Sequence, residues 1–157
     1  MTSEVEKRLE ELGFKLPEPA ATVANYLPFV IHGGVIIISG QIPMREGQVH
    51  YKGKVGSDLS LAEAQDAARL CGLNILTQLK IACDGNLDRV EKCLKIGGFV
   101  NCGIDFTDQS KVINGTSDLM VAVFGANIGR HARFAVGVNS LPLGAAVEIE
   151  AMFRIGE

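Results

Sequence analysis

The stretch ARFAVGVNSLPLGAAVEIEAMFRI, residues 132–155, decides the fold, because it contains two β-strands, 132–138 and 146–155, joined by a turn at 139–144. The second strand alternates apolar with charged residues, which is typical of a strand with one buried face. The first strand is small and apolar apart from Arg133. Because burying an unpaired guanidinium is costly, we expect either an anionic ligand at Arg133 or an ion pair between Arg133 and Glu148 or Glu150.

Successive side chains of a strand point to opposite faces of the sheet. If the larger side chains of the first strand face the core, Arg133, Ala135 and Gly137 face away from it. The same alternation places Val147, Ile149, Ala151 and Phe153 in the core. We therefore expect Arg133, Glu148 and Glu150 to share one sheet face that no helix covers.

Working outward, the sequence predicts a helix over 4–12 that ends at Gly13, an extended connector over 15–19, and a hairpin of strands 26–32 and 35–39. A short strand is expected at 48–51. Ser60 and Glu63 have the spacing of a capping box that opens a long helix. A strand over 90–100 and a helix over 108–124 follow. This order predicts one α+β domain, residues 1–157, with two helices on one face of a mixed sheet and residues 1–19 as an N-terminal extension.

Composition excludes several classes of function. With a net charge of −3 and no basic stripe, the chain lacks the phosphate-neutralising surface of a nucleic-acid-binding protein. No apolar run approaches the roughly 20 residues of a spanning helix, so no membrane partner is expected. The four cysteines form no CxxC pair, and no histidine has ligand spacing from them. We therefore expect no metal, no cofactor and a reducing, cytoplasmic location.

Two motifs resemble the RidA/YjgF family, also described as endoribonuclease L-PSP-like: Ser39-Gly40-Gln41-Ile42-Pro43, and the run from Arg133 through Leu141-Pro142 to Val147-Glu148-Ile149-Glu150-Ala151. The resemblance extends over about residues 20–155. It implies the sandwich shared with AroH-type chorismate mutase, and a homotrimer whose sheets form a barrel-like centre with three clefts between subunits. It also implies hydrolysis of small reactive enamines and imines, of the 2-aminoacrylate type, to 2-keto acids and ammonia.

The resemblance implies a role for several residues. Arg133 matches the arginine that holds the substrate carboxylate, Glu148 the glutamate that positions water, and Tyr26 a tyrosine near the ligand. Ser39 lies in the first motif beside the same cleft. Ala135 stands where the family has a cysteine whose backbone carbonyl helps to hold the water, and Ser117 aligns with an expected asparagine.

The chain departs from the short family members in its first dozen residues and in the Lys52 to Gly56 loop, which suggests a divergent subgroup. Three readings of function remain open: an imine deaminase, a non-catalytic trimer that binds small carboxylates, and a ribonuclease. The sequence shows no basic groove, histidine pair or metal site that would support the ribonuclease.

Individual residues also have structural alternatives. Tyr26 can be a core aromatic, Ser39 a turn cap and Cys71 a helix-core residue. His131 is expected to be a solvated loop histidine.

Overall fold

The computed structural model describes residues 2–22 and 24–157. The elements in chain order are α1 (Glu4–Glu11), β1 (Phe29–His32), β2 (Val35–Gln41), β3 (Met44–Arg45), β4 (Gln48–Val49), α2 (Leu61–Ala82), β5 (Val90–Asn101), α3 (Gln109–Gly129), β6 (Ala132–Val138) and β7 (Val147–Ile155). Two short 3-10 turns, Leu87–Arg89 and Pro142–Gly144, precede β5 and β7.

Both capping boxes that open helices are formed by a serine and a glutamate three residues later. At α2 the Ser60 hydroxyl accepts from the Glu63 backbone N–H at 3.1 Å, and the Glu63 carboxylate accepts from the Ser60 N–H at 2.8 Å. Ser3 and Glu6 form the same reciprocal pair at α1. The predicted start of the long helix is therefore confirmed. Helix α1 also begins with a capping box, which the sequence analysis, based on the spacing of apolar residues, had not identified.

The main sheet has five strands in the order β1-β2-β7-β5-β6. All neighbours are antiparallel except β5 and β6, which are parallel. One core lies between this sheet and the two long helices, and it includes Ile38, Ile75, Met120 and Phe153. The predicted α+β fold, with helices on a mixed sheet, is confirmed.

The sheet face turned away from α2 and α3, called the open face below, carries apolar side chains in solvent. Val30, Ile37 and Val136 are exposed to 46%, 45% and 42%. Phe99 and Phe134 meet edge to face on it, with ring centroids 5.3 Å apart. These side chains lie beside charged ones, so the face is mixed in character rather than uniformly polar.

The predicted orientation of β6 is wrong. Arg133 points to the helix side, where its guanidinium contacts α3, whereas Phe134 and Val136 lie on the open face. The assignment of β7 is correct, since Val147, Ile149, Ala151 and Phe153 are buried. Glu148 and Glu150 alternate with these residues and lie on the open face, so they do not share a face with Arg133.

The N-terminal helix packs on the same core as the rest of the chain. Val5 and Leu9 are buried, and the Asp88 carboxylate accepts from the backbone N–H groups of Glu4 and Val5 at 2.9 and 3.0 Å. Within the described ranges, no helix is both long and apolar enough to cross a membrane.

Helix α3 runs further than the predicted residue 124, to Gly129. It breaks at Gly125, whose φ of 80° is not helical, and Arg8 donates to the carbonyl of Val123 at 2.9 Å.

Candidate functional site

The guanidinium of Arg133 is held by uncharged acceptors on α3. Nη1 donates to Asn114 Oδ1 at 2.9 Å and to Ser117 Oγ at 3.0 Å, and Nη2 donates to the Ser110 carbonyl at 3.1 Å. An arginine has five N–H donors. These contacts leave Nε–H and one Nη2–H without a partner among residues 2–22 and 24–157, which is the pair of donors that a carboxylate can bridge with two hydrogen bonds.

Neither glutamate of β7 pairs with Arg133, so the expected structural ion pair is wrong. Glu150 instead pairs with Lys95 at 3.3 Å on the open face. Glu148 lies against Gly40. Among residues 2–22 and 24–157, the groups that hydrogen-bond to the guanidinium of Arg133 are therefore all neutral dipoles, which favours the alternative of an anionic ligand.

Glu148 occupies a place that only a glycine leaves open. A Cβ added at Gly40 would collide with Glu148 Oε1 and stand 3.1 Å from its carboxyl carbon. Gly40 lies where the pairing of β2 with β7 shifts register, between Ile38 and Gln41. Such bulges re-aim the chain next to functional sites. Burial raises the pKa of the Glu148 carboxyl, which makes it a better proton acceptor near neutral pH.

Tyr26 and Gly40 line one small cavity of about 140 Å³, together with Gln41 and Leu143. Tyr26 is 51% exposed, so it is not the core aromatic of the alternative interpretation. The Ser39 hydroxyl donates to the Leu27 carbonyl at 2.7 Å, which fits the turn-capping alternative. Gly40 thus contacts Glu148 and lines the same cavity as Tyr26, and we call Glu148, Gly40 and Tyr26 the Glu148 cluster.

The hydroxyl of Ser117 contacts Arg133, and so does Asn114, which the sequence analysis had not singled out. Asn114 stands one helical turn earlier and contacts the same guanidinium nitrogen. Its spacing from Ser117 on a helix could have indicated it, because residues three apart share a helix face. Ala135 is half-buried on β6, two residues after Arg133, and packs against the core.

His131 is not a solvated loop residue. It is half-buried, its Nε2 lies 2.9 Å from Ser117 Oγ, and its Nδ1 lies 2.7 Å from the Gly129 carbonyl. Burial, opposed in part by the Gly129 contact and aided by the nearby Arg133 and Lys92, lowers the pKa of His131. We call Arg133, Asn114, Ser117 and His131 the Arg133 cluster.

The two clusters do not meet within one chain. Arg133 lies on the edge strand β6 and is directed to the helix side, whereas Glu148 lies two strands away on the open face. The sheet itself therefore separates the two side chains.

Other reactive groups are tied into the structure. Cys71 is fully buried, its thiol donates to the Val147 carbonyl at 3.6 Å, and burial raises its pKa. Such a thiol is a packing residue rather than a nucleophile. Among the side chains of the described ranges, no three His, Cys, Asp or Glu residues are placed to hold a metal ion.

The motif Ser39 to Pro43 contains Gly40 of the Glu148 cluster, and the run from Arg133 to Ala151 contains Arg133 and Glu148 themselves. Comparison with known proteins identifies the same family that these motifs indicated. Residues 6–153 match the family model described as "YjgF/chorismate mutase-like, putative endoribonuclease". The chain belongs to this family.

Three relatives define its place within the YjgF family. The crystal structure of Atu1372 from Agrobacterium tumefaciens is 47% identical, covers 97% of this chain and 92% of its own, and superposes with a TM-score of 0.91. Protein TCP17 of Trypanosoma cruzi is 45% identical over 96% of this chain and 94% of its own.

The third, E. coli TdcF with bound serine, is 21% identical with a TM-score of 0.64 and covers 90% of this chain and 99% of its own, which shows a shared fold. This contrast places the chain with Atu1372 and TCP17 in a divergent subgroup.

Proposed function

We propose that this protein hydrolyses small enamines or imines of the 2-aminoacrylate type to 2-keto acids and ammonia, in clefts between the subunits of a homotrimer. The observation that carries the proposal is the guanidinium of Arg133. It is fixed by three neutral acceptors and keeps two adjacent N–H donors for a carboxylate. A 2-imino acid carries such a carboxylate next to its C=N carbon.

The chemistry requires only water and a base. An enamine first takes a proton on its terminal carbon and becomes the imine. A water oxygen attacks the imine carbon, the electron pair of the C=N bond moves to nitrogen, and the water proton taken by the base passes to that nitrogen. The remaining hydroxyl proton then follows by the same route, so that the C–N bond breaks to give ammonia and the C=O bond of the 2-keto acid. In this proposal Glu148 takes the proton of the attacking water, and the raised pKa of its carboxyl suits this role near neutral pH. Arg133 holds the carboxylate and so orients the reacting carbon.

The separation of the two clusters supports a cleft made by two chains. If the edge strand β6 of one subunit approaches the Glu148 cluster of the next, Arg133 and Glu148 belong to one cleft. A head-to-tail contact of this kind closes into a ring when it is repeated. The ring also covers the open face, where Val30, Ile37 and Val136 are exposed. Four free, buried cysteines are compatible with the reducing cytoplasm that we propose as its location.

A turnover assay tests the proposal directly. Enamines are generated in situ from several amino acids by a dehydratase or an amino-acid oxidase, and 2-keto acid release is followed with and without this protein. The parent protein should accelerate release, and Glu148→Gln should lower the rate by roughly 10²-fold or more. Light scattering should give the mass of a trimer; a monomer mass at all concentrations contradicts the shared cleft.

A carboxylate-binding protein without catalysis is the second candidate. The Arg133 cluster favours it, because this cluster is complete within one chain and needs no Glu148. Tight binding of 2-ketobutyrate, combined with equal absence of turnover in the parent and in Glu148→Gln, supports this candidate over the deaminase.

A further inference from the structure

A continuous chain of hydrogen bonds connects the proposed ligand-binding arginine to a histidine. Arg133 Nη1 donates to Ser117 Oγ at 3.0 Å, Ser117 Oγ lies 2.9 Å from His131 Nε2, and His131 Nδ1 lies 2.7 Å from the Gly129 carbonyl. A carbonyl oxygen can only accept, so Nδ1 carries a proton. In the neutral imidazole Nε2 then accepts the Ser117 hydroxyl proton, and the Ser117 oxygen accepts from Arg133.

Protonation of His131 conflicts with this arrangement. Nε2–H would then donate to the Ser117 oxygen, which has a second lone pair for it beside the one that accepts from Arg133, but the Ser117 hydroxyl proton would lose its acceptor. The charged groups that act on His131 are Arg133, two residues along the chain, and Lys92 on β5, both cationic. The contact from α3 is the uncharged Ser117 hydroxyl. The empty site therefore favours a neutral histidine.

We propose that His131 is a proton-linked positioning residue for Arg133: neutral His131 holds the guanidinium through Ser117 in the empty site, and a carboxylate that binds Arg133 brings a proton onto His131. The inference rests on the proposed function, because it takes a carboxylate as the ligand of Arg133. It adds a residue that senses whether the site is occupied.

The sign of the effect follows from charge. Burial is the main cause of the lowered pKa of His131, and the neighbouring cations Arg133 and Lys92 add to it. A bound carboxylate offsets the charge of Arg133 and so removes that part of the lowering. Proton and ligand therefore bind cooperatively, and each strengthens the other by the same factor. Between pH 8 and pH 6, the affinity for a 2-keto acid should rise by about threefold to tenfold, and binding should take up protons.

Two substitutions of His131 separate its contacts. His131→Gln places an amide oxygen where Nε2 was, so it can accept from Ser117 but cannot titrate. His131→Asn keeps a polar group near Gly129 but is too short to reach Ser117. With 2-ketobutyrate as the probe, His131→Gln should bind as the parent does at pH 8 and lose the pH dependence, whereas His131→Asn should bind about threefold or more weakly at both pH values.

Calorimetry measures the proton directly. Titration with 2-ketobutyrate near pH 6.5, in two buffers of different ionisation enthalpy, should give proton uptake for the parent and none for His131→Gln. Equal uptake in the parent and in His131→Gln, or no uptake in either, overturns the proposal while leaving Arg133 as the carboxylate site.

A measurement without ligand distinguishes failure of this inference from failure of the proposed function. In proton NMR titrations, with the His131 signal assigned from the His131→Gln spectrum, Arg133→Gln should raise the pKa of His131, since it removes the adjacent cation and keeps an amide donor. An unchanged pKa refutes the coupling. If the pKa rises but 2-ketobutyrate does not bind the parent, the coupling stands and the carboxylate function of the site is refuted.

Discussion

Replacing Gly40 with alanine should disable Glu148 without touching it. A Cβ at position 40 would collide with Glu148 Oε1 and approach its carboxyl carbon and Cγ to 3.1 and 3.3 Å. Gly40 is exposed and its φ lies outside the left-handed region, so alanine fits the backbone. The carboxylate is the free end of a flexible side chain, and it must move by about 1 Å to reach ordinary contact distance.

Such a displacement has a large effect on rate and a small one on stability. A misplacement of about 1 Å at a reacting group can cost 10²-fold in rate. The free energy of unfolding should change by less than about 1 kcal/mol, because the added methyl displaces the free end of a half-buried, flexible side chain and alanine restricts the unfolded chain. Steady-state imine hydrolysis, calorimetric binding of 2-ketobutyrate and thermal unfolding together test this expectation. Binding should stay within about twofold, since Arg133 does not contact Gly40.

Gly103→Ala is the matched control, because nothing lies within 4 Å of a Cβ at that position. This variant should match the parent in all three measurements. If Gly40→Ala hydrolyses imines as fast as Gly103→Ala does, the contact between Gly40 and Glu148 does not set the position of the base, and the assignment of Glu148 fails with it.

Three further variants test other contacts. Arg133→Lys loses the planar fork and should bind 2-ketobutyrate about 10- to 100-fold more weakly by calorimetry, with unfolding little changed. Glu148→Gln should be more stable than the parent at pH 7. Burial raises the pKa of Glu148 above its usual 4.5, so the parent loses stability as the pH rises from 4.5 through the folded pKa; the difference in Tm should vanish below pH 4.5. Gly98→Ala should cost about 1–3 kcal/mol in denaturant unfolding, because its Cβ would stand 2.5 Å from two atoms of the buried Ile113. Additive effects with Ile113→Ala, instead of partial rescue, would contradict that last explanation.

Local signals predicted the elements well. The capping box at Ser60 and Glu63, the Gly33-Gly34 turn and the alternation of β7 each rest on interactions between residues near in sequence. Helix starts, tight turns and strand periods depend on such interactions, which explains why the α+β order followed from the sequence.

The orientation of β6 depended on neighbours that the sequence does not place. Large side chains were expected in the core, but β6 is an edge strand, and Gly97 of β5 makes room for Phe134 on the open face. The side chain of Arg133 then points to α3, where it donates hydrogen bonds to Asn114 and Ser117. Which face of an edge strand is covered is a tertiary property, so residue size alone gave the wrong answer.

The break in α3 at Gly125 is contacted by the N-terminal helix through Arg8. A chain that leaves the helical path at Gly125 frees carbonyl groups of the preceding turn, and Arg8 donates to one of them, that of Val123. Removing the first dozen residues would take the Arg8 donor away from the Val123 carbonyl oxygen, in the segment of chain that leads to His131 and Arg133. Arg8 therefore fastens the N-terminal extension to the kinked end of α3, the helix whose other residues Asn114 and Ser117 hold Arg133.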